Sequence, residues 1–200
     1  MKDILVDKLL FMIKDNNNSY NELELEKIRY GLEGLYLMIT KLIIIFILAL
    51  ILDIVKETLL LFVIFSGLRF FGFGVHAKTS FQCLIYSTLL FIVLPYIFYN
   101  IEINLITEII IFTICFINLL IFAPSDSENR RFKKKRKYLI RKFLTLVVTV
   151  IYMWLYFNTD YLNVLFMISI IIQSIVVNPL IYKLLGVDYN YNFLGLNRNI

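Results

Sequence analysis

The chain of 200 residues is 60 % hydrophobic and 18 % charged, with a mean hydropathy of +0.79 and a formal net charge of +5. A soluble domain averages about 45–50 % apolar and about 25 % charged residues, and a soluble core of this size has no use for so many unbroken apolar runs. The composition excludes an ordinary globular domain and predicts an all-α polytopic membrane bundle, read as one integral membrane domain over residues 1–200.

In chain order, "MKDILVDKLLFMIKD" spaces Ile4, Leu5, Leu9, Met12 and Ile13 at helical intervals among charged residues. This predicts an amphipathic helix, too polar to span, lying in the membrane interface. No small-residue cleavage site follows a short apolar core, so no cleavable signal peptide is expected. "DNNNS" breaks the helix and supplies an N-cap for the next, which starts charged ("NELELEKIRYGLEG") and runs into the first apolar block, so that 1–34 reads as interfacial. A span needs roughly 20 mostly apolar residues, or about 17 at the short end. Six are expected, at about 38–55, 57–71, 80–98, 104–122, 140–157 and 162–181, followed by a tail over 182–200. The second is short enough to be re-entrant, and four full spans plus two partial ones is the alternative. Cys115, inside "IIIFTICFINLL", is expected as buried packing, since a cysteine thiol packs as a small hydrophobe. Two distant cysteines do not suggest a disulfide framework.

Lys and Arg concentrate in every second connection: before the first span, around Arg69 and Lys78, in the run Arg130 to Lys142, and in the tail, with Lys56 alone in an outer turn. Six spans with both termini on the cytoplasmic side of the cell membrane satisfy that alternation. The run "RRFKKKRK" anchors on anionic lipid, each charge contributing about 1 kcal/mol near the surface. A second reading is that it also attracts an acidic peptide. No nucleic-acid partner is expected, and a short-span bundle of this size allows a homodimer.

The stretch "FFGFGVHAKTSFQCLIYS" holds the only histidine, His76, and one of the two cysteines, Cys83. The topology puts both at the cytoplasmic rim. Residues seven apart on one straight helix share a face but lie about 10.5 Å apart along the axis, whereas proton transfer needs about 2.6–3.2 Å or one water. A catalytic pair therefore requires a bend. The glycines at 72 and 74 allow one, and Thr79 and Ser80 are candidate caps for a helix containing Cys83. The residues by themselves leave both readings open, a catalytic pair or two polar residues at a span end. Zinc is disfavoured because a closed site wants four ligands and this region offers one His and one Cys. Asp53 and Asp160 sit in outer turns, not as a facing pair for aspartyl protease chemistry.

Arg69, Gly74, His76, Ala77 and Cys83, together with "FAPSDSEN" at 122–129 and "EKIRYGLEGLY" at 26–36, resemble in order the accessory gene regulator B (AgrB) family of membrane cysteine endopeptidases. One departure is Phe73, where that family often has the first Gly of a Gly-Gly pair. The resemblance implies an enzyme that processes an AgrD-type quorum-sensing propeptide, removing its acidic tail and helping to close a thiolactone ring, with no cofactor or metal. It implies Cys83 as nucleophile and His76 as its base. Ordinary cysteine has a pKa of about 8.5 and attacks as the thiolate, a form favoured near a helix N-terminus and near Lys78 and Arg69. Arg69 either snorkels to the surface or binds substrate carboxylates or braces the site. Gly74 serves backbone geometry, Ser80 and Lys78 support the site, and Glu33 and Asp126 are the candidates for orienting His76. The rival class is a non-enzymatic small membrane transporter or scaffold. A transporter usually shows internal repeats around a midplane site, and none is evident.

Overall fold

The computed structural model describes residues 2–16, 20–75, 79–99, 101, 103–125, 135–187 and 189. The described residues form α1 (Lys2–Asn16), α2 (Glu22–Ile51), α3 (Val55–Gly72), α4 (Ser80–Thr88), a π-helical turn (Leu89–Val93), α5 (Leu94–Tyr99), α6 (Leu105–Phe122), α7 (Lys135–Asn158), α8 (Asn163–Val177) and α9 (Pro179–Leu184). The chain divides into two compact units, Met1–Leu48 and Ala49–Ile200.

In the first unit α1 forms where the spacing of its apolar residues predicts. Ile4, Leu5, Leu9, Phe11 and Met12 are nevertheless exposed, and Val6 is the buried residue. An apolar stripe left uncovered by protein suits a helix lying against lipid. The cap of α2 is Asn21, two residues beyond the expected "DNNNS". Glu24 N donates to Asn21 Oδ1 at 2.9 Å and Asn21 N donates to Glu24 Oε2 at 3.0 Å. This reciprocal box needs an acid three residues after the cap, and Asn21 has it. Arg29 pairs with Asp7 at 3.2 Å and with Glu33 at 3.5 Å.

The second unit is built around α8. This helix carries no Asp, Glu, Lys or Arg, and Leu165 to Ile170, Ile172, Gln173, Ser174, Val176 and Val177 are all buried. A helix that is apolar all round belongs inside, and α3, α5, α6 and α7 pack about it. Leu68, Phe112, Cys115, Leu119, Phe166, Met167 and Ile170 form one core, with Cys115 as part of its packing. Leu61, Val75, Phe91, Leu165, Ile168 and Ile172 form the other. At Gly67 a β-carbon would meet the Tyr152 hydroxyl at 2.6 Å, and that hydroxyl donates to Ile64 O at 2.7 Å.

Helices stand at all six expected spans. Among the described residues, four stretches are long and apolar enough to cross a membrane: Glu22–Ile51, Phe81–Tyr99, Leu105–Phe122 and Lys135–Asn158. The second and sixth are the shorter or more charged ones. α3 has 18 residues and includes Lys56, Glu57 and Arg69; α8 has 15. At 1.5 Å per residue α8 reaches only about 22 Å, short of a core about 30 Å thick. Its burial by neighbouring helices removes the need to meet lipid along its length. The fold is a helical membrane bundle that has, among the described residues, four full-length candidate spans and the two shorter helices α3 and α8.

The third span is interrupted by Pro95. A proline has no N–H to give the carbonyl four residues back, which is that of Phe91. The Thr58 hydroxyl of α3 approaches this carbonyl at 3.5 Å. The helix adjusts through the π-turn, with Leu94 N donating to Leu89 O. The sequence reading ends the bundle at residue 181, but packing runs on to Tyr189. Asn178 caps α9 by accepting from Leu180 N at 2.9 Å, with Pro179 at the first helical position, where a missing N–H costs nothing. Tyr182 is fully buried and stacks edge-on with Tyr189 at 4.8 Å.

Candidate active site

α3 ends at Gly72, and the chain leaves it in a turn few residues adopt. Phe73 has φ 53° and ψ −138°, and Gly74 has φ 126°. A β-branched or bulky residue at positive φ is an outlier that its surroundings must hold. Arg69 does much of the holding. Its Nη1 donates to Phe73 O at 2.5 Å, and its Nη2 donates to Gly74 O at 3.1 Å and to Val75 O at 2.8 Å. The planar guanidinium fork spans three successive carbonyls, which a lysine's point charge cannot do. A cation in the last turn of α3 also complements the negative end of the helix dipole.

The rest of the turn is fixed by distant parts of the chain. Val75 N donates to Val176 O at 2.9 Å, and Ser125 N donates to Gly72 O at 3.2 Å, giving a parallel bridge between Phe73 and Ser125. Gln173 Nε2 donates to Phe73 O at 2.9 Å. Arg141 of α7 donates to Phe70 O at 2.8 Å and lies 4.2 Å over the Phe73 ring. Ser125 is itself buried, and its hydroxyl accepts from Tyr182 at 2.8 Å. Gly74 has no room for a side chain. A β-carbon there would overlap the Arg69 guanidinium and sit 2.9 Å from both Val176 Cγ2 and the Val176 carbonyl.

α4 then begins anew. Thr79 is extended, with φ −108° and ψ 148°, and its hydroxyl accepts from Gln82 N at 3.3 Å. Thr79 is thus the cap, and Ser80 is the first helical residue. Cys83 lies in the opening turn of α4, half-buried, with its N–H donating to Thr79 O at 3.0 Å. The chain from Gly74 to Cys83 is therefore not one continuous helix. His76, Lys78 and Asp126 lie outside the described residues. Asp126 directly follows Ser125, which the bridge sets beside Phe73. Glu33 belongs to the first unit, where Arg29 pairs with it.

Sequence reasoning missed four contributors to the turn: Val176, Gln173, Tyr182 and Arg141. Gln173 carried a readable signal, an amide inside the apolar run "IIIQSIVV". Val176 acts through its backbone and left none.

The family model for accessory gene regulator B matches residues 6–177. A putative AgrB-like protein of Listeria monocytogenes serovar 1/2a is 32 % identical over 196 residues, covering 96 % of this chain and 92 % of the relative. A putative AgrB-like protein of Clostridium acetobutylicum is 27 % identical over 211 residues, covering 100 % and 97 %. The accessory gene regulator protein B of Staphylococcus aureus strain Newman is 32 % identical over 155 residues, covering 74 % and 82 %. No solved structure matches the chain.

Proposed function

This chain belongs to the accessory gene regulator B family, and on that premise we propose that it is a membrane cysteine endopeptidase acting on an AgrD-type quorum-sensing propeptide. Cys83 is the nucleophile and His76 its base. The observation that carries the reading is the break between α3 and α4. α3 stops at Gly72, Arg69 turns the chain through Phe73–Val75, and a separately capped helix presents Cys83 in its first turn. The two residues are thereby released from the 10.5 Å axial offset, about two turns, that a single helix would impose.

In this mechanism His76 takes the thiol proton and the thiolate attacks the scissile carbonyl. The C–N bond breaks, the proton passes to the departing amine, and the acidic tail leaves, giving a thioester on Cys83. The substrate's own cysteine then attacks that thioester. One thioester replaces another, so the step is near balance and needs no ATP. A site at the membrane boundary that excludes water favours this exchange over hydrolysis. The enzyme lies in the cell membrane with its termini and site facing the cytoplasm. The basic residues around Arg130–Lys142 meet anionic lipid and the acidic tail of the substrate, and two copies pair as a homodimer.

Co-expression with an AgrD-type propeptide tests the assignment. His76→Ala and Cys83→Ala each abolish cleavage at unchanged membrane levels, while Cys115→Ala, a change within the packed core, still cleaves. Normal processing by Cys83→Ala would remove the nucleophile assignment and favour a non-enzymatic membrane protein.

A further inference from the structure

Gln173 is fully buried in α8. Its Nε2 donates to Phe73 O, a carbonyl that already accepts from Arg69. A carbonyl can only accept, so the amide must turn its nitrogen to Phe73, and this fixes which way Oε1 faces. That Oε1 is buried and has no hydrogen-bond partner among the described residues, and neither has the hydroxyl of Ser169 one turn earlier on the same helix. A β-carbon on Gly72 would overlap the Gln173 amide, so the amide also decides that position 72 is glycine.

An amide with half its capacity unused is an expensive way to fill an interior, and an apolar side chain of the same volume would pack there without loss. Satisfying Phe73 O does not explain the amide either, because Arg69 already does so. What the second donor adds is direction. Arg69 grips the carbonyl from its own helix, and Gln173 grips it from α8, where Val176 O already holds Val75 N, so two points of the turn, Phe73 and Val75, are tied to that helix.

We propose that Gln173 is a positioning residue of the candidate site, locking the turn Gly72–Val75 against α8 and so setting how the chain delivers His76 to the Cys83 thiol. This rests on the reading of His76 and Cys83 as a working pair. Among the described residues the cations bonded to or stacked on the turn are Arg69 of α3 and Arg141 of α7, and neither is substituted in the variants that test it.

The test uses the full chain in a Cys115→Ala background, with Gln173→Met and Gln173→Leu, which keep volume and remove the amide. Three quantities are read: steady-state cleavage of the AgrD-type propeptide, the pH dependence of Cys83 alkylation by iodoacetamide, and the thermal unfolding midpoint. The expected result is a kcat lowered about 10- to 100-fold with KM little changed. The alkylation midpoint moves toward higher pH, as it does in His76→Ala, and the unfolding midpoint is unchanged or higher. An unaltered kcat and alkylation profile would overturn the inference. So would activity lost only in proportion to folded protein, or failure of both variants to fold, each of which makes Gln173 structural. Failure of the underlying reading looks different: His76→Ala itself would leave the alkylation profile as it is in the parent.

Discussion

Two helices of this bundle are interrupted, and the two breaks are built differently. At Pro95 the span adjusts within itself, by one π-turn and a long contact from the Thr58 hydroxyl. At Gly72–Val75 the chain leaves its helix altogether, and Arg69, Ser125 and, on α8, Gln173 and Val176 hold it from three parts of the sequence. The first break needs only to spare one carbonyl. The second keeps Phe73 at positive φ, a conformation costing about 1–3 kcal/mol, and therefore needs many partners. A strained turn held from several sides marks a place where position matters more than stability. It lies immediately before His76.

Perturbing each break in turn should separate them. The largest effect is expected from Arg69→Lys. It keeps the charge but loses the fork, and leaves buried carbonyls short of donors at about 1–3 kcal/mol each. Propeptide cleavage should fall to background and the unfolding midpoint should drop; wild-type cleavage would mean that the turn holds without the guanidinium fork. Gly74→Ala comes next. The added β-carbon meets Arg69 and Val176 in a backbone conformation that already disfavours alanine, and a loss of about 2–3 kcal/mol is expected with cleavage down in parallel. Pro95→Ala should restore an N–H to Phe91 O and change stability by about 1 kcal/mol or less, leaving cleavage within two-fold of the parent. A large loss there would show that the break at Pro95 is also functional. Phe73→Gly is the smallest. Relief of the positive φ is offset by the lost Arg141 contact, itself about 0.5–1 kcal/mol at an exposed site, and by glycine's entropy. Cleavage should persist, which would show that the turn depends on the backbone at 73 and not on the ring.

Much of this arrangement is legible in local sequence. The six helices stand where the apolar blocks fall, since burial in lipid is read from composition and length. Gly72 and Gly74 announced a turn, and Thr79 a cap, because caps and positive φ are chosen by one or two residues. Some local readings missed by a few residues. The cap of α2 is Asn21, not the preceding "DNNNS", because Glu24 closes the box. The packed body runs past residue 181 because Tyr182 and Tyr189 fold back onto Ser125 and Phe122.

By itself, then, the sequence determined the helical membrane class, the break at Gly72 and Gly74 and the family, all properties carried by neighbouring residues and by composition. Tertiary structure alone decided what grips the turn. Val176 acts through a carbonyl that every residue possesses, Ser125 through its backbone N–H, and Gln173 across 100 positions to Phe73. Periodicity reports which face of a helix is apolar. It carries nothing about which distant backbone group that face will meet, and that meeting is what turns a glycine-containing break into a held one.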